Sequence, residues 1–256
     1  MSEPLLDVRN ITVSFGGLVA VSDFSMKVEK GAIHALIGPN GAGKSTTFNC
    51  ISRFYQPQLG SIWIEGRDVT HLPPHALAER GVARTFQNLE LFNGLSVLEN
   101  IYLGAYAGAK GRLFRWGDRS QEAREFACHL LERTGLIEYR HALASGLDFG
   151  RQKMLELARA LAVRPRLLLL DEPAAGLRNR EIDRLDALLT EIARRDGVGI
   201  VLVEHVMRLV MSISDVVTVL NFGQKIAEGS PGEVARHPAV IEAYLGREGA
   251  DHDSAA

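Results

Sequence analysis

The chain has 256 residues with 29 basic and 31 acidic side chains, a formal net charge of −2, so no overall electrostatic pull draws it to nucleic acid or to an anionic bilayer. Its two cysteines, Cys50 and Cys128, sit in apolar-periodic stretches without metal-ligand spacing, which argues against a disulfide framework and a zinc site and leaves reduced, buried thiols as the expectation. The opening Met-Ser-Glu-Pro has no basic region leading into an apolar core, and uninterrupted apolar runs such as 167–170 and 200–203 fall far short of the ~20 residues of a spanning helix. A cytoplasmic chain is expected, one whose membrane role, if any, is borrowed from another subunit.

In chain order, the first part reads as short strands at 11–15, 24–28, 33–37 and 62–64, with Gly16-Gly17 and Lys30-Gly31 as turns. A glycine-rich loop follows the third strand, and residues 45–53 read as a helix, giving the order strand, loop, helix. From about 95 to 164 the pattern turns helical, with Phe126, Ala127, Leu130 and Leu131 on one stripe. Within it the stretch 108–120 mixes glycine and arginine with Leu113, Phe114 and Trp116, and residues 112–116 are expected to form a mobile or partner-facing element. Beyond it, strands at 167–170, 200–203 and 216–220 alternate with helices at 181–195 and 206–213, the pattern of a parallel α/β sheet. Residues 248–256 are small and polar and are expected to fray.

The chemistry concentrates at two places. Gly38-Pro39-Asn40-Gly41-Ala42-Gly43-Lys44-Ser45 fits the phosphate-loop pattern in full: its glycines let backbone N–H groups converge on phosphates, and the following helix start adds a favourable dipole. Lys44 is placed to reach the β- and γ-phosphates and the Ser45 hydroxyl to coordinate magnesium. Downstream, the strand 167–170 delivers Asp171 and Glu172 at its carboxyl end, where ligands bind in open α/β sheets. Asp171 suits the magnesium ion, and Glu172, pointing differently, is a candidate to polarise an attacking water.

These residues resemble the ATP-binding cassette (ABC) ATPases. The family's motifs run in order through almost the whole chain: Gly38 to Thr46, Gln87 in Thr-Phe-Gln-Asn, Leu147-Asp148-Phe149-Gly150-Arg151, Leu170-Asp171-Glu172-Pro173, and His205. The resemblance implies a P-loop NTPase of α/β class: an ABC-type nucleotide-binding domain with a RecA-like core and an antiparallel β subdomain over about 1–94 and 165–247, and a helical subdomain over about 95–164. It implies ATP and Mg2+ as ligands, with Phe15 stacking on adenine. Asn40, Gly41, Ala42, Gly43, Lys44, Ser45 and Thr46 would hold the phosphates, Gln87 would sense the metal and the γ-phosphate, and His205 would act as the switch histidine beside the catalytic Glu172. The signature residues 147–151 would cap the ATP of a second ATPase subunit, in a homo- or heterodimer, and the Gln87 region would drive transmembrane permease subunits, placing the chain on the inner face of the cell membrane; no nucleic-acid partner is expected. The remaining histidines, His34, His71, His75, His129, His141, His237 and His252, are read as structural or solvated.

The finer resemblance is to the ATPases of branched-chain amino-acid importers, the larger of their two types, carried by residues 81–101, Ala174-Ala175-Gly176-Leu177 and Ala243-Tyr244-Leu245-Gly246. An ATPase of a lipid or polysaccharide exporter and a soluble, non-transport ABC ATPase are the alternatives. Three positions depart from the family pattern: Asp148 stands where serine is usual, Arg151 where glutamine is, and Arg178 where aspartate or asparagine is. An ionised Asp148 only accepts hydrogen bonds and adds charge beside a polyanion, so it is expected to impair the cap on the partner's ATP and make the two sites of the dimer unequal, unless Arg151 neutralises the carboxylate or Asp148 serves as the N-cap of the helix beginning near Gly150, a role compatible with the first.

Overall fold

The computed structural model describes residues 3–108 and 118–245. Strands β1 (Leu6–Phe15) and β2 (Leu18–Val28) form an antiparallel hairpin, β4 (Leu59–Ile64) pairs antiparallel with β1, and the two-residue β5 (Arg67–Asp68) with β4. The second sheet has the order β10-β9-β3-β8-β7-β6, from β3 (Ile33–Ile37), β6 (Val82–Arg84), β7 (Leu167–Asp171), β8 (Gly199–Val203), β9 (Val216–Asn221) and β10 (Gln224–Gly229). All its pairings are parallel except the antiparallel β9–β10 edge.

Every residue of β3, β7 and β8 is buried, as expected of central parallel strands covered on both faces. The two-residue period of a strand divides them between two cores. Leu168, Leu170, Ile200 and Leu202 join the core of the helical region, whereas Leu167, Leu169, Val201 and Val203 join Phe24, Phe48 and Ile62 in the core beneath the antiparallel sheet. The helical region comprises α3 (Val97–Gly108), α4 (Asp118–Arg133) and α5 (Phe149–Ala162), packed on one another, with Ala127, Leu130 and Leu131 buried and Phe126 half-buried against them. Helices α1 (Lys44–Ile51), α2 (Pro74–Glu79), α6 (Asn179–Arg194), α7 (Met207–Ile213), α8 (Pro231–Val234) and α9 (Pro238–Leu245) complete the chain.

Several expectations change. Strands β1 and β2 are longer than the alternation suggests, because register shifts between Val8, Ile11, Val13 and Ser14 break the two-residue period. The sheet is not wholly parallel: β10 is a polar edge strand without an apolar run. Cys50 is buried, and burial pushes its thiol up to about 11, but Cys128 is only half-buried on α4. His34 is structural, as expected: its ring nitrogens meet Lys27 O at 2.9 Å and Thr218 Oγ1 at 2.7 Å, and burial lowers its pKa. Residues 112–116 and the tail 248–256 lie outside the described residues.

Gly38, immediately after β3, has φ 147°, and a Cβ there would lie 2.1 Å from the carbonyl oxygen of Leu220 on β9. Gly38→Ala is therefore expected to lower unfolding stability by at least the roughly 1–3 kcal/mol of a forced backbone conformation. Chemical denaturation of the two proteins side by side checks this.

Candidate active site

The loop from Gly38 to Gly43 connects β3 to α1 under tight restraint. A Cβ on Gly43 would sit 2.6 Å from Ala20 O, and Gly43 adopts φ 99°. Ala42 O accepts from Gly223 N at 3.0 Å, and Gly223 O from Ser22 N at 2.8 Å, so the β9–β10 turn and β2 together strap the loop down. The start of α1 carries neither a side-chain cap nor an acidic residue in its first turn, which leaves its leading N–H groups to an external anion. Lys44 is buried, and its Nζ donates to the carbonyls of Gly38 (2.7 Å) and Pro39 (2.9 Å) along the loop. Asn40, Gly41 and Ser45 are exposed and Thr46 half-buried, facing out of the same loop. A buried cation, uncapped amides and no room for side chains at two glycines together fit a polyphosphate with its counter-ion.

The sheet register brings the other strand ends alongside: Val203 pairs with Leu36 of β3 on one side and with Asp171 of β7 on the other. Asp171 is buried and ion-paired to Arg84 at 3.2 Å; burial raises its pKa while the guanidinium opposes the shift. Glu172 takes a left-handed conformation, φ 49°, and its N–H donates to Val203 O at 2.9 Å. This turn sets the Glu172 side chain apart from Asp171 and brings its Oε1 to 3.2 Å from His205 Nε2, past the end of β8. Among the described residues no three His, Cys, Asp or Glu side chains cluster as a metal cage. A magnesium ion needs no such cage, since it is bound through one or two carboxylates and completes its shell with phosphate and water.

Sequence reasoning missed two residues here. Glu204, 1% exposed, accepts from the N–H groups of Ala174 (2.7 Å), His205 (2.7 Å) and Val206 (2.8 Å), so one carboxylate ties the chain after Glu172 to the start of α7. An acid directly following a buried apolar strand was its signal. Arg84, at the end of β6, gave no signal, because a three-residue strand carries no readable period.

The remaining expected site residues are spread around this edge. Phe15 ends β1, half-exposed, with its ring edge-on to Tyr55 at 5.2 Å. Gln87 is exposed in the segment after β6; its neighbour Phe86 donates its N–H to buried Glu156 of α5 at 3.1 Å. Residues 147–151 form the start of α5: Leu147 is buried and Phe149 exposed, and Asp148 is the N-cap, accepting from Arg151 N at 2.9 Å while its carboxylate also pairs with the Arg151 guanidinium. The capping role foreseen for Asp148 is realised, and Arg151 neutralises the carboxylate; the guanidinium also lies 4.4 Å over the Tyr139 ring. Gly150 has Glu181 against it and Gly176 has Phe149 against it, so this turn packs on the segment leading into α6. Arg178 is the N-cap residue of α6, its N–H donating to Glu181 at 2.7 Å. On α9, the Tyr244 phenol lies against the Gly38 N–H, with burial raising its pKa.

The β3 loop and the β7 carboxylates, set side by side by the register, define a P-loop NTPase. Within that class the chain belongs to the ABC transporter family, whose model matches residues 21–175; a second model, described as "Branched-chain amino acid ATP-binding cassette transporter", matches residues 224–250. The high-affinity branched-chain amino acid transport ATP-binding protein BraF of Pseudomonas aeruginosa is 45% identical over 255 residues, covering 96% of this chain and 99% of the relative. The corresponding LivG of Escherichia coli K12 is 42% identical over 253 residues, with 96% and 99% covered. Among solved structures, an ATP-binding cassette of an ABC transporter in its ADP conformation superposes with a TM-score of 0.84 at 30% identity, over 96% of this chain and 100% of that one. A nucleotide-free ABC transporter cassette gives 0.83 at 30% identity, over 94% and 99%.

Loss of the cap in Asp148→Ala is expected to lower stability by about 1 kcal/mol, whereas Asp148→Ser, which keeps a cap acceptor, stays within a few tenths of the parent. Paired thermal melts of the two variants distinguish a capping aspartate from an inert one.

Proposed function

We propose that this ABC ATPase energises the import of branched-chain amino acids, or of small polar solutes related to them, through separate permease subunits on the cytoplasmic side of the membrane. What supports the reading is similarity over 96% of the chain, 45% identity to a branched-chain amino acid transport ATP-binding protein, together with the family match at 224–250. No helix among the described residues is long and apolar enough to cross a membrane, and the proposal assigns the solute path to other subunits.

In this reading ATP is held by Asn40 to Thr46. Lys44 exchanges its two carbonyl partners for phosphate oxygens, keeping its hydrogen bonds while gaining an opposite charge in a buried setting. Ser45, Asp171 and Gln87 are the residues that would hold magnesium, which when bound neutralises charge developing on the phosphates. Phe15 offers its exposed ring to the adenine. Glu172 accepts a proton from water as the water oxygen attacks the γ-phosphorus and the bond to the β–γ bridging oxygen breaks, giving ADP and phosphate. His205, already against Glu172, orients that carboxylate and contacts the γ-phosphate. The signature turn, residues 147–151, caps the nucleotide of a second ATPase subunit, and the Gln87 segment carries the motion to the permease.

Glu172→Gln is expected to bind ATP within a few-fold of the parent but to hydrolyse it about 10²–10⁴-fold more slowly, because only the proton acceptor is removed. Lys44→Ala should lose ATP binding itself, since a polyanion would face the buried loop without its paired cation. Calorimetric titration and phosphate release separate the two. For the transport role, the subunits that co-purify from membranes are reconstituted into vesicles with ATP: uptake of labelled leucine or valine supports the proposal, and ATP-driven movement of lipid instead would refute it.

A further inference from the structure

A largely enclosed guanidinium at the end of a three-residue strand calls for an explanation. The Arg84 side chain is 13% exposed, and burial disfavours its charge. It is held by groups from different parts of the chain. One terminal nitrogen donates to Asn49 Oδ1 (2.7 Å) of α1, the helix that begins at Lys44, and to Oγ of Ser52, its C-cap residue. The other donates to Asp171 Oδ2 (3.2 Å) at the end of β7. Around the guanidinium lie the rings of Phe48 (4.7 Å), Phe54 (5.2 Å) and Phe86 (5.3 Å), the last being the residue before Gln87. A buried ion pair is often no more stabilising than apolar side chains of the same volume, so stability alone gives no reason for this charge. A rigid planar fork does give one, because it can fix the distance between two groups, which a lysine's single ammonium cannot.

We propose that Arg84 is a positioning residue: it holds the Asp171 carboxylate in fixed relation to the phosphate-loop helix and, through the Phe86 ring, makes that relation depend on the Gln87 segment. The inference rests on the reading of Asp171 as a magnesium-site residue and extends it. With Arg84 in place, one Asp171 oxygen is committed to the guanidinium and the carboxylate keeps a single orientation. Without it, Asp171 is free to rotate, and α1 loses the side-chain link to the β7 end that the guanidinium provides. Partners that orient metal ligands in this way typically contribute 10–100-fold to metal affinity.

The test measures ATP binding to the full chain by calorimetry, in EDTA and across a magnesium titration, for the parent, Arg84→Met, Asn49→Ala and Asp171→Asn, with a thermal melt of each. Arg84→Met is expected to raise the magnesium concentration giving half of the metal-dependent gain in ATP affinity by about 10–100-fold, with metal-free ATP affinity within about twofold of the parent. Asn49→Ala, which leaves the Asp171 pair intact and cuts one link to α1, should shift it in the same direction by less, and it carries the test if Arg84→Met does not fold. A lowered melting temperature with an unchanged magnesium titration in either folded variant would make Arg84 a structural charge and overturn the proposal. Equal losses of ATP affinity with and without magnesium would also overturn it, because the defect would then lie in the phosphate loop. An Asp171→Asn variant with the parent's magnesium titration would remove the magnesium-site reading itself, and the inference with it.

Discussion

Where β3 leaves the sheet, backbone has to run against backbone with no side chain between. Gly38 lies under the Leu220 carbonyl, Gly43 under that of Ala20, and Gly223 bonds to Ala42 from the far side. The rest of the site follows from this crowding. A loop pinned on three sides, with one internal bond from the Ala42 N–H to Pro39 O, holds its shape beside an uncapped helix start. The rigidity comes from parts distant in sequence, the first hairpin and the last sheet edge, which explains why the chain must close on itself before the site exists.

Around that loop each buried charge is held by designated partners, as the low dielectric of an interior requires. Glu204 serves three backbone amides, Arg84 serves Asp171 and α1, and Lys44 rests on two carbonyls. Glu172 and His205 lean on each other at a more exposed position. Glu204 and Arg84 are enclosed among the strand ends, whereas Glu172 and His205 stand nearer to solvent.

Much of this was legible in the sequence, for identifiable reasons. Central parallel strands are continuous apolar runs, so 167–170 and 200–203 stood out and located Asp171, Glu172 and His205 at their ends. The phosphate loop was legible because glycine spacing reports backbone geometry directly. Asp148 was legible as a cap because the acceptor and the N–H it satisfies are three residues apart. What escaped was whatever depends on distant residues: β6 exists only by pairing with β7, β10 only by pairing with β9, and the hydrogen-bond partners of Arg84 lie 32 to 87 positions away. The half-burial of Cys128 likewise follows from how α4 rotates against its neighbours, which its own periodicity does not fix.

The placement of α9 bears on how this protein is handled. Its last residues reach back to the opening of the loop, with Ala239, Glu242 and Ala243 lining a cleft against Pro39 to Ala42 and the Tyr244 ring beside Gly38. Helix α9 is thus a wall of a cleft at the phosphate loop, remote from that loop in sequence only. Trimming the chain back into α9 to aid crystallisation, or fusing a bulky reporter closely behind it, alters the protein beside its phosphate loop, and an affinity measured on such a variant describes a different pocket.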